Sequence, residues 1–174
     1  YPQQDLGGSG DPVLAFDRQG TAYAASISFD EEDFTIGNAV GAASVSAIPV
    51  SKSQDGGTSW SEPIASARSH VTAEALPQNA DGVVTYELGL PFLDKPWLTI
   101  GPTINKTEED TIYVTYTKFL TRIPLFFLFG VEPFQQVPVT ETSIELVRSE
   151  DGGKTFRTMK ERQKHSDNHE IVFK

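Results

Sequence analysis

Two aspartates occupy matching places in two similar segments of the sequence and are the first candidates for catalysis or ligand binding. Asp11 precedes Pro12, and Asp94 precedes Lys95-Pro96, each at the start of a short apolar stretch. Two such carboxylates at one opening could face a shared ligand or a hard cation, for which carboxylate oxygens are preferred ligands. The alternative is that each aspartate caps a turn before its proline.

A run of acidic residues could bind Ca²⁺, which is the one candidate cofactor that the sequence suggests. Asp30, Glu31 and Asp33 belong to this run together with Glu32, and we expect the run to lie in a loop. Its density of carboxylate oxygens suits a calcium ion. It lacks the spaced Asp-x-Asp-x-Asp-Gly pattern, however, and a solvated charged surface is the alternative. A second acidic run at 108–110 has the same two interpretations.

Two further motifs could carry a metal or a modification. His165, Asp167 and His169 alternate near the end of the sequence, so a strand would place all three on one side. Their side chains are metal ligands, although a polar exposed segment has the same composition. Asn105 begins Asn-Lys-Thr, the N-glycosylation acceptor pattern, in a predicted loop.

Composition excludes several other kinds of chemistry. The chain has no Cys, which excludes disulfides, thiol catalysis and thiolate metal sites. Its 24 acidic residues against 14 Lys and Arg give a net charge of −10, which disfavours binding to nucleic-acid phosphates. The longest apolar run, 123–131, is interrupted by Pro124 and Gly130 and is too short to cross a bilayer. We therefore expect neither a nucleic-acid partner nor a membrane span.

The elements that must position these residues are short β-strands. No stretch of ordinary helix length carries the 3.6-residue apolar period, and 14 Gly and 11 Pro divide the chain into short alternating or β-branched runs. The sequence therefore predicts an all-β fold. The predicted strands are 13–16, 21–29, 44–53, 60–65, 97–100, 111–119, 143–149 and 156–160.

An octamer occurs twice at matching places among these strands. Residues 53–60 read Ser-Gln-Asp-Gly-Gly-Thr-Ser-Trp, and residues 149–156 read Ser-Glu-Asp-Gly-Gly-Lys-Thr-Phe. Upstream of the octamers, residues 21–26 match residues 111–116. Each copy thus has four strands with the same turn before the last, and repeated four-stranded units are typical of β-propeller blades.

The octamer has the composition of a tight turn. Its aspartate can accept backbone N–H groups, its serine can close the turn, its glycines tolerate positive φ, and its last aromatic residue can pack onto a sheet. We therefore predict a structural role for both copies. The predicted turn residues are Ser53, Asp55, Gly57 and Trp60 in the first octamer, and Ser149, Asp151, Gly153 and Phe156 in the second.

The octamer resembles the Asp-box of bacterial neuraminidase repeats, which marks the turn between the third and fourth strands of blades in sialidase-like β-propellers. Residues 11–23 and 94–98 are similar to blade openings in secreted proteins of this family. The resemblance covers roughly residues 9–160 and implies two four-stranded antiparallel blades, each with an Asp-box. It also implies a location outside the cell or at its surface.

The same resemblance permits a test for catalysis. A sialidase-like site needs three arginines for the substrate carboxylate, an Asp acid/base, and a Tyr nucleophile activated by a Glu. Arg122-Ile123-Pro124 matches a family triplet, but it follows a strand instead of preceding the first one, so we interpret it as a chance match. Tyr23, Tyr113 and Tyr116 are predicted to pack within strands. No complete site can be assigned, and Asp11 and Asp94 remain the catalytic candidates.

The repeats define the expected organisation. We predict a first blade over residues 1–70, a connection over 71–93, a second blade over 94–165, and a terminal strand or the start of another blade over 166–174. An apolar, aromatic insertion at 120–134 either contacts a partner or folds onto its own blade. Two blades do not close a ring, so we expect further blades in a larger chain or a homo-oligomer.

The expected function follows from the resemblance. We expect an extracellular binding or scaffolding module with a glycan as its ligand. Two alternatives stay open: part of a sialidase-like glycoside hydrolase whose catalytic residues lie mostly elsewhere, and a surface or appendage subunit that assembles through its insertion and terminal strands. An enzyme needs an arginine cluster at the channel mouth, whereas an assembly subunit buries residues 125–129 against a neighbouring chain.

Overall fold

The computed structural model describes residues 8–37, 39–76, 84–103, 106–127, 134–135 and 137–159. In these ranges the chain forms antiparallel strands and turns, which confirms the predicted all-β fold. No helix in this part of the chain is long and apolar enough to cross a membrane. The strands are β1 Gly8–Phe16, β2 Ala22–Ile36, β3 Ala39–Ser53, β4 Ile64–Arg68, β5 Thr72–Ala75, β6 Val84–Thr103, β7 Lys106–Phe127, β8 Phe134–Gln135, β9 Val139–Ser149 and β10 Arg157–Thr158.

The first sheet joins β1, β2, β3 and β4 in chain order, each antiparallel to the next. The predicted strands 13–16 and 44–53 lie inside β1 and β3, and the predicted strand 21–29 begins one residue before β2. The fourth strand begins at Ile64 and not at Trp60 as predicted, because the chain leaves the octamer through a link in which Ser61 N donates to the Lys52 carbonyl.

The second sheet has the order β10-β9-β7-β6-β5, with β8 beside β7. Strands β6, β7, β9 and β10 contain or overlap the four predicted for the second copy. Residues 84–93, expected in a connection, form the first half of the 20-residue strand β6. Pro91 pairs with Leu120 of β7, and β5 pairs only with 86–89, so at Pro91 the strand has a single neighbour among the described strands, a place in a sheet where proline is tolerated.

The insertion predicted at 120–134 is part of a strand over its first residues. Residues 120–127 continue β7 and pair with 84–91 of β6, while residues 128–133 lie outside the described ranges. Apolar and aromatic residues on both strands favour this ladder through cross-strand contacts. The insertion is therefore extended sheet as far as it is described.

The acidic runs also lie in strands, contrary to the loop prediction. Residues 30–33 belong to β2 and pair with residues 42–45 of β3. Together with the turn at Gly37 (φ 59°), they form a two-stranded ribbon. Phe34 lies across Gly41, where an added Cβ would come within 2.6 Å of its ring. The Phe34 ring therefore occupies the place that a side chain at position 41 would take.

The main core lies between the two sheets. Ile48 of β3 and Val114 of β7 are fully buried within it. The rings of Phe29 and Phe92 stack at a centroid separation of 5.7 Å. The core residues are Tyr23, Ala25, Ile48 and Val50 from the first sheet and Leu93, Leu98, Ile112, Val114, Tyr116 and Val147 from the second.

Candidate functional site

The first octamer folds as a turn closed by its own side chains. The Ser53 hydroxyl donates to Asp55 Oδ1 (2.8 Å) and accepts the N–H of Gly57 (2.9 Å). Asp55 also accepts the N–H of Ser59 (2.9 Å) and its hydroxyl (2.6 Å). Gly57 has φ of 89°, a conformation that favours glycine. The turn is therefore closed by Ser53, Asp55, Gly57 and Ser59, whereas Trp60 is half-buried and is not among the residues that pack against the main core.

The second octamer repeats this arrangement. The Ser149 hydroxyl donates to Asp151 Oδ1 (2.7 Å) and accepts the N–H of Gly153 (2.9 Å). Asp151 accepts the N–H of Thr155 (2.9 Å), its hydroxyl (2.6 Å), and the N–H of Lys154 (3.0 Å). The two turns thus share one hydrogen-bond scheme.

These bonds set the charge of both aspartates. Bonds from the hydroxyl and N–H of Ser59, and from the Ser53 hydroxyl, lower the pKa of Asp55 to about 2. Partial burial opposes ionisation of Asp151, but the bonds from Thr155, Ser149 and Lys154 outweigh it and hold the pKa of Asp151 well below 3.8. Both carboxylates are therefore ionised near neutral pH and occupied by their own turn, which suits a structural role and not proton transfer.

The second octamer docks on the first sheet. Lys52 Nζ donates to the Gly152 carbonyl at 3.2 Å. A Cβ on Gly153 would lie 3.6 Å from Ile112 Cδ1 and 3.7 Å from Tyr23 Cε1, so the glycine backbone sits against the tyrosine ring. Phe156 packs against the core between the sheets. The turn therefore connects the two sheets.

Beside this contact lies a cleft of about 320 Å³. Its walls come from both sheets and combine a tyrosine, two lysines, a glutamate and two serines with apolar side chains. Hydrogen-bonding groups therefore lie beside an apolar surface in this cleft. The lining residues are Tyr23, Val50, Ser51, Lys52, Ser61, Glu62, Ile64, Gly152, Gly153 and Lys154.

A second clasp joins the sheets close by. Arg18 Nε and one terminal nitrogen donate to Asp110 Oδ1 at 2.9 and 2.7 Å, and Arg18 N donates to Oδ2 at 3.1 Å. The Arg18 guanidinium lowers the pKa of Asp110. Sequence reasoning missed this pair, because the two residues are far apart in the chain and neither belongs to the repeated octamer.

Asp11 and Asp94 do not occupy equivalent places. Asp11 (φ 47°) and Lys95 (φ 51°) each lie in a strand bulge directly before a proline, so Lys95 is the structural equivalent of Asp11. Lys95 Nζ donates to Asp11 Oδ2 at 2.7 Å, and this bond raises the pKa of Lys95. Asp94 Oδ1 accepts the backbone N–H of Lys95 (2.9 Å), the geometry of the turn-capping alternative. The sequence match was therefore displaced by one residue.

Three arginines are held by carboxylates of this chain. Arg18 contacts Asp110, as above. Arg122 contacts Glu87 (2.6 Å) and Glu141 (3.4 Å), and Arg148 contacts Glu150 (3.1 Å). Three arginines held by separate carboxylates do not form a pocket for a substrate carboxylate.

Burial raises the pKa of Tyr116 to about 12, so its phenol stays neutral and packs in the core.

The predicted metal residues are separated as far as they are described. Asp30 lies on one face of β2, whereas Glu31 and Asp33 lie on the other, because side chains alternate along a strand. Within the ranges given above, no three His, Asp or Glu side chains come together as a metal site. Asn105, His165, Asp167 and His169 lie outside the described residues.

Comparisons with known proteins complete the description of this site. No protein-family model matches the chain. No curated protein matches it either. A crystal structure of a protein of unknown function from Dyadobacter fermentans DSM 18053 is 17% identical over 88% of this chain, with a TM-score of 0.28. The chain spans about half, 50%, of the length of that protein.

Proposed function

We propose that β1–β4 form one blade of a sialidase-like β-propeller and that β6, β7, β9 and β10 of the six-stranded second sheet form another, that the two octamers are their Asp-boxes, and that the chain is an extracellular binding or scaffolding module. The observation that carries this proposal is the docking of the second octamer through Gly152 and Gly153 onto Lys52 and Tyr23. A turn that fixes one repeated unit on another belongs to a scaffold. The aspartates of both octamers, together with Arg18 and Arg122, are held by groups of this chain, which supports binding over catalysis.

The cleft between the sheets is the proposed ligand site, and a glycan is the proposed ligand. Lys52, Glu62 and Ser61 offer charged and hydroxyl groups at its wall, and sugar hydroxyls need such mixed donors and acceptors. The family resemblance supports a glycan as the class of ligand, and the lining residues support this cleft as its site.

The test combines binding with turnover. Ligand-observed NMR would screen sialylated and neutral oligosaccharides, and a fluorogenic sialoside would report hydrolysis. We expect binding without hydrolysis, with at least a tenfold loss of affinity in Lys52→Gln. Lys118→Gln, on β7 and outside the cleft lining, is the matched control and should bind normally. Hydrolysis by the wild type would favour the glycoside hydrolase alternative, and no binding by any oligosaccharide would overturn the glycan assignment.

A further inference from the structure

Each sheet has a second face that does not contribute to the core between the sheets. On the first sheet, Leu14 and Phe16 share this outer face with Ala22, Ala24 and Ser51, since they lie beside them in register. Leu14 is 52% exposed and Phe16 is 61% exposed. We call this set the outer face of the first sheet.

The outer face of the second sheet consists of Trp97, Thr99, Tyr113, Thr115 and Ile144. These residues alternate with the core residues of β6, β7 and β9. Trp97 is 67% exposed and Ile144 is 50% exposed. Large apolar side chains therefore lie at the surface on both outer faces, where contiguous apolar patches indicate contact sites.

The repeat relates these exposed residues to buried ones. In the strand register, Leu98 of the second sheet takes the place of Leu14 of the first, and Leu98 is only 4% exposed. Ile48 of the first sheet takes the place of Ile144 of the second and is fully buried. The core is therefore formed by the Ile48 face of the first sheet and the Leu98 face of the second sheet, and in the repeat these are opposite faces of a sheet.

Packing the two outer faces on each other would reproduce the contact that forms the core between the sheets. The outer face of the first sheet, which carries Leu14, is equivalent in the repeat to the face of the second sheet that is buried with Leu98. The outer face of the second sheet, which carries Ile144, is equivalent to the face of the first sheet that is buried with Ile48. Such a contact is heterologous, so it can repeat between molecules and close a ring.

Polar groups on these faces fit the same repetition. Ser51 is 4% exposed, and its Oγ makes no hydrogen bond within the described part of the chain. Arg148 takes the place of Lys52, the residue that binds the Gly152 carbonyl of the second octamer. A second copy packed in the same way would bring its first octamer to Arg148.

The charges of Asp11 and Lys95 also favour a second copy of the chain as the partner that covers the outer faces. Asp11 and Lys95 are structural equivalents that contact each other at 2.7 Å. Repeating the contact would place Lys95 of one copy beside Asp11 of the next, so each junction would pair opposite charges. A repeated unit with acids at both positions would instead place like charges together.

We infer that this chain associates head to tail, with the outer face of its first sheet packed on the outer face of a second copy's second sheet. This inference rests on the proposed blade arrangement and names its partner as another copy of the chain. Since propellers have about four to eight blades, a closed ring would contain roughly two to four copies.

Sedimentation velocity of the full chain, from low micromolar to several hundred micromolar, tests the inference. We expect assemblies at integer multiples of 19.0 kDa. Leu14→Glu and Trp97→Glu should each leave monomers, because each places a charge on one of the two faces. An equimolar mixture of the two variants should form dimers and nothing larger, because only one sound junction is available.

The mixture separates head-to-tail packing from symmetric pairing of one face. Val40→Glu, at a residue 77% exposed on the β2–β3 ribbon, is the matched control and should assemble like the wild type. A monomeric wild type at the highest concentration, or a Leu14→Glu variant that assembles normally, would overturn the inference. Circular dichroism melts would verify folding of each variant. Oligosaccharide binding by a monomer would leave the proposed function standing while the association fails.

Discussion

The two octamer turns have the same hydrogen bonds but different surroundings. A Cβ added to Gly56 or Gly57 of the first turn would meet no atom within 4 Å among the described residues. In the second turn, Gly152 and Gly153 lie against the side chains of the first sheet. The turn conformation is therefore specified locally by its serine and aspartate. What it contributes to tertiary structure depends on whether another sheet is present to receive it.

The two sheets differ in the same way. Equivalent positions in the repeat, such as Ile48 and Ile144, carry the same residue type with opposite burial. Hydrophobic burial stabilises in proportion to the apolar area removed from water, so one repeated pattern produces unequal energetic contributions. The following predictions use matched variants of equivalent residues to test that inequality, beginning with the largest effect.

Shortening the two equivalent isoleucines should separate the sheets most clearly. Ile48→Ala should lower the free energy of unfolding by about 3 kcal/mol through lost burial and a residual cavity. Ile144→Ala should lower it by only about 0.5 kcal/mol under conditions where the chain is monomeric. Urea unfolding followed by tryptophan fluorescence measures both. Equal losses would show that the two faces are equally buried, contrary to the comparison.

Removing the aspartates should separate the two turns. Asp151→Ala should cost about 1 kcal/mol, allowing for the exposure of the carboxylate, because it breaks bonds to Thr155, Ser149 and Lys154 and loosens the docked turn. Asp55→Ala should cost less, since its turn packs on no other sheet. Thermal unfolding at neutral pH measures the difference. A greater loss from Asp55→Ala would reverse the assignment of the docking turn.

Acid should destabilise the protein through the same carboxylates. The folded-state pKa is lowered from 3.8 to about 2 in Asp55 and lowered further in Asp151, so their stabilisation is present above 3.8 and is lost as pH falls through the folded values. Asp110 contributes in the same direction through Arg18. The unfolding temperature should fall between about pH 4 and pH 2, and Asp151→Asn should reduce that slope. An unchanged slope in this variant would contradict the pKa assignment.

The ion pair at the two strand bulges should have the smallest effect on the monomer. Asp11→Asn removes one charge of the exposed pair with Lys95, while asparagine tolerates positive φ. We expect an unfolding temperature within the error of the melt and a clear weakening of self-association. Asp33→Asn, at an exposed position of the β2–β3 ribbon, provides the control. A large loss of monomer stability would mean that the bulge requires the ion pair.

Local features of the fold could be predicted from the sequence, and long-range ones could not. The octamers predicted both turns, because Ser, Asp and Gly at that spacing determine a closed set of local hydrogen bonds. Apolar alternation predicted the strands around them. The full lengths of β6 and β7 were missed because residues 71–93 were assigned to a connection and residues 120–134 to an insertion, although residues 84–91 and 120–127 pair with each other.

The candidate site shows the same division. Sequence matching aligned Asp11 with Asp94 in the repeat, whereas in the structure the position equivalent to Asp11 is Lys95. The equivalence rests on a positive φ before a proline, which cannot be recognised from spacing. The Arg18–Asp110 clasp depends on how the sheets pack and has no local signature. The cleft likewise takes one wall from each sheet, so its lining could not be assembled from either repeat alone.

The acidic run on the β2–β3 ribbon has a consequence for solubility. Residues 30–36 pair with β3 alone among the described strands, so within the described part of the chain no strand covers the other edge of this segment. An unprotected strand edge is a template for sheet extension and aggregation, and natural proteins block such edges with charge. Asp30, Glu31, Glu32 and Asp33 give two copies of this edge mutual repulsion. The carboxylates that were considered as a calcium site thus disfavour pairing between the strand edges of two molecules. Association through the outer faces of the sheets is not opposed by this charge.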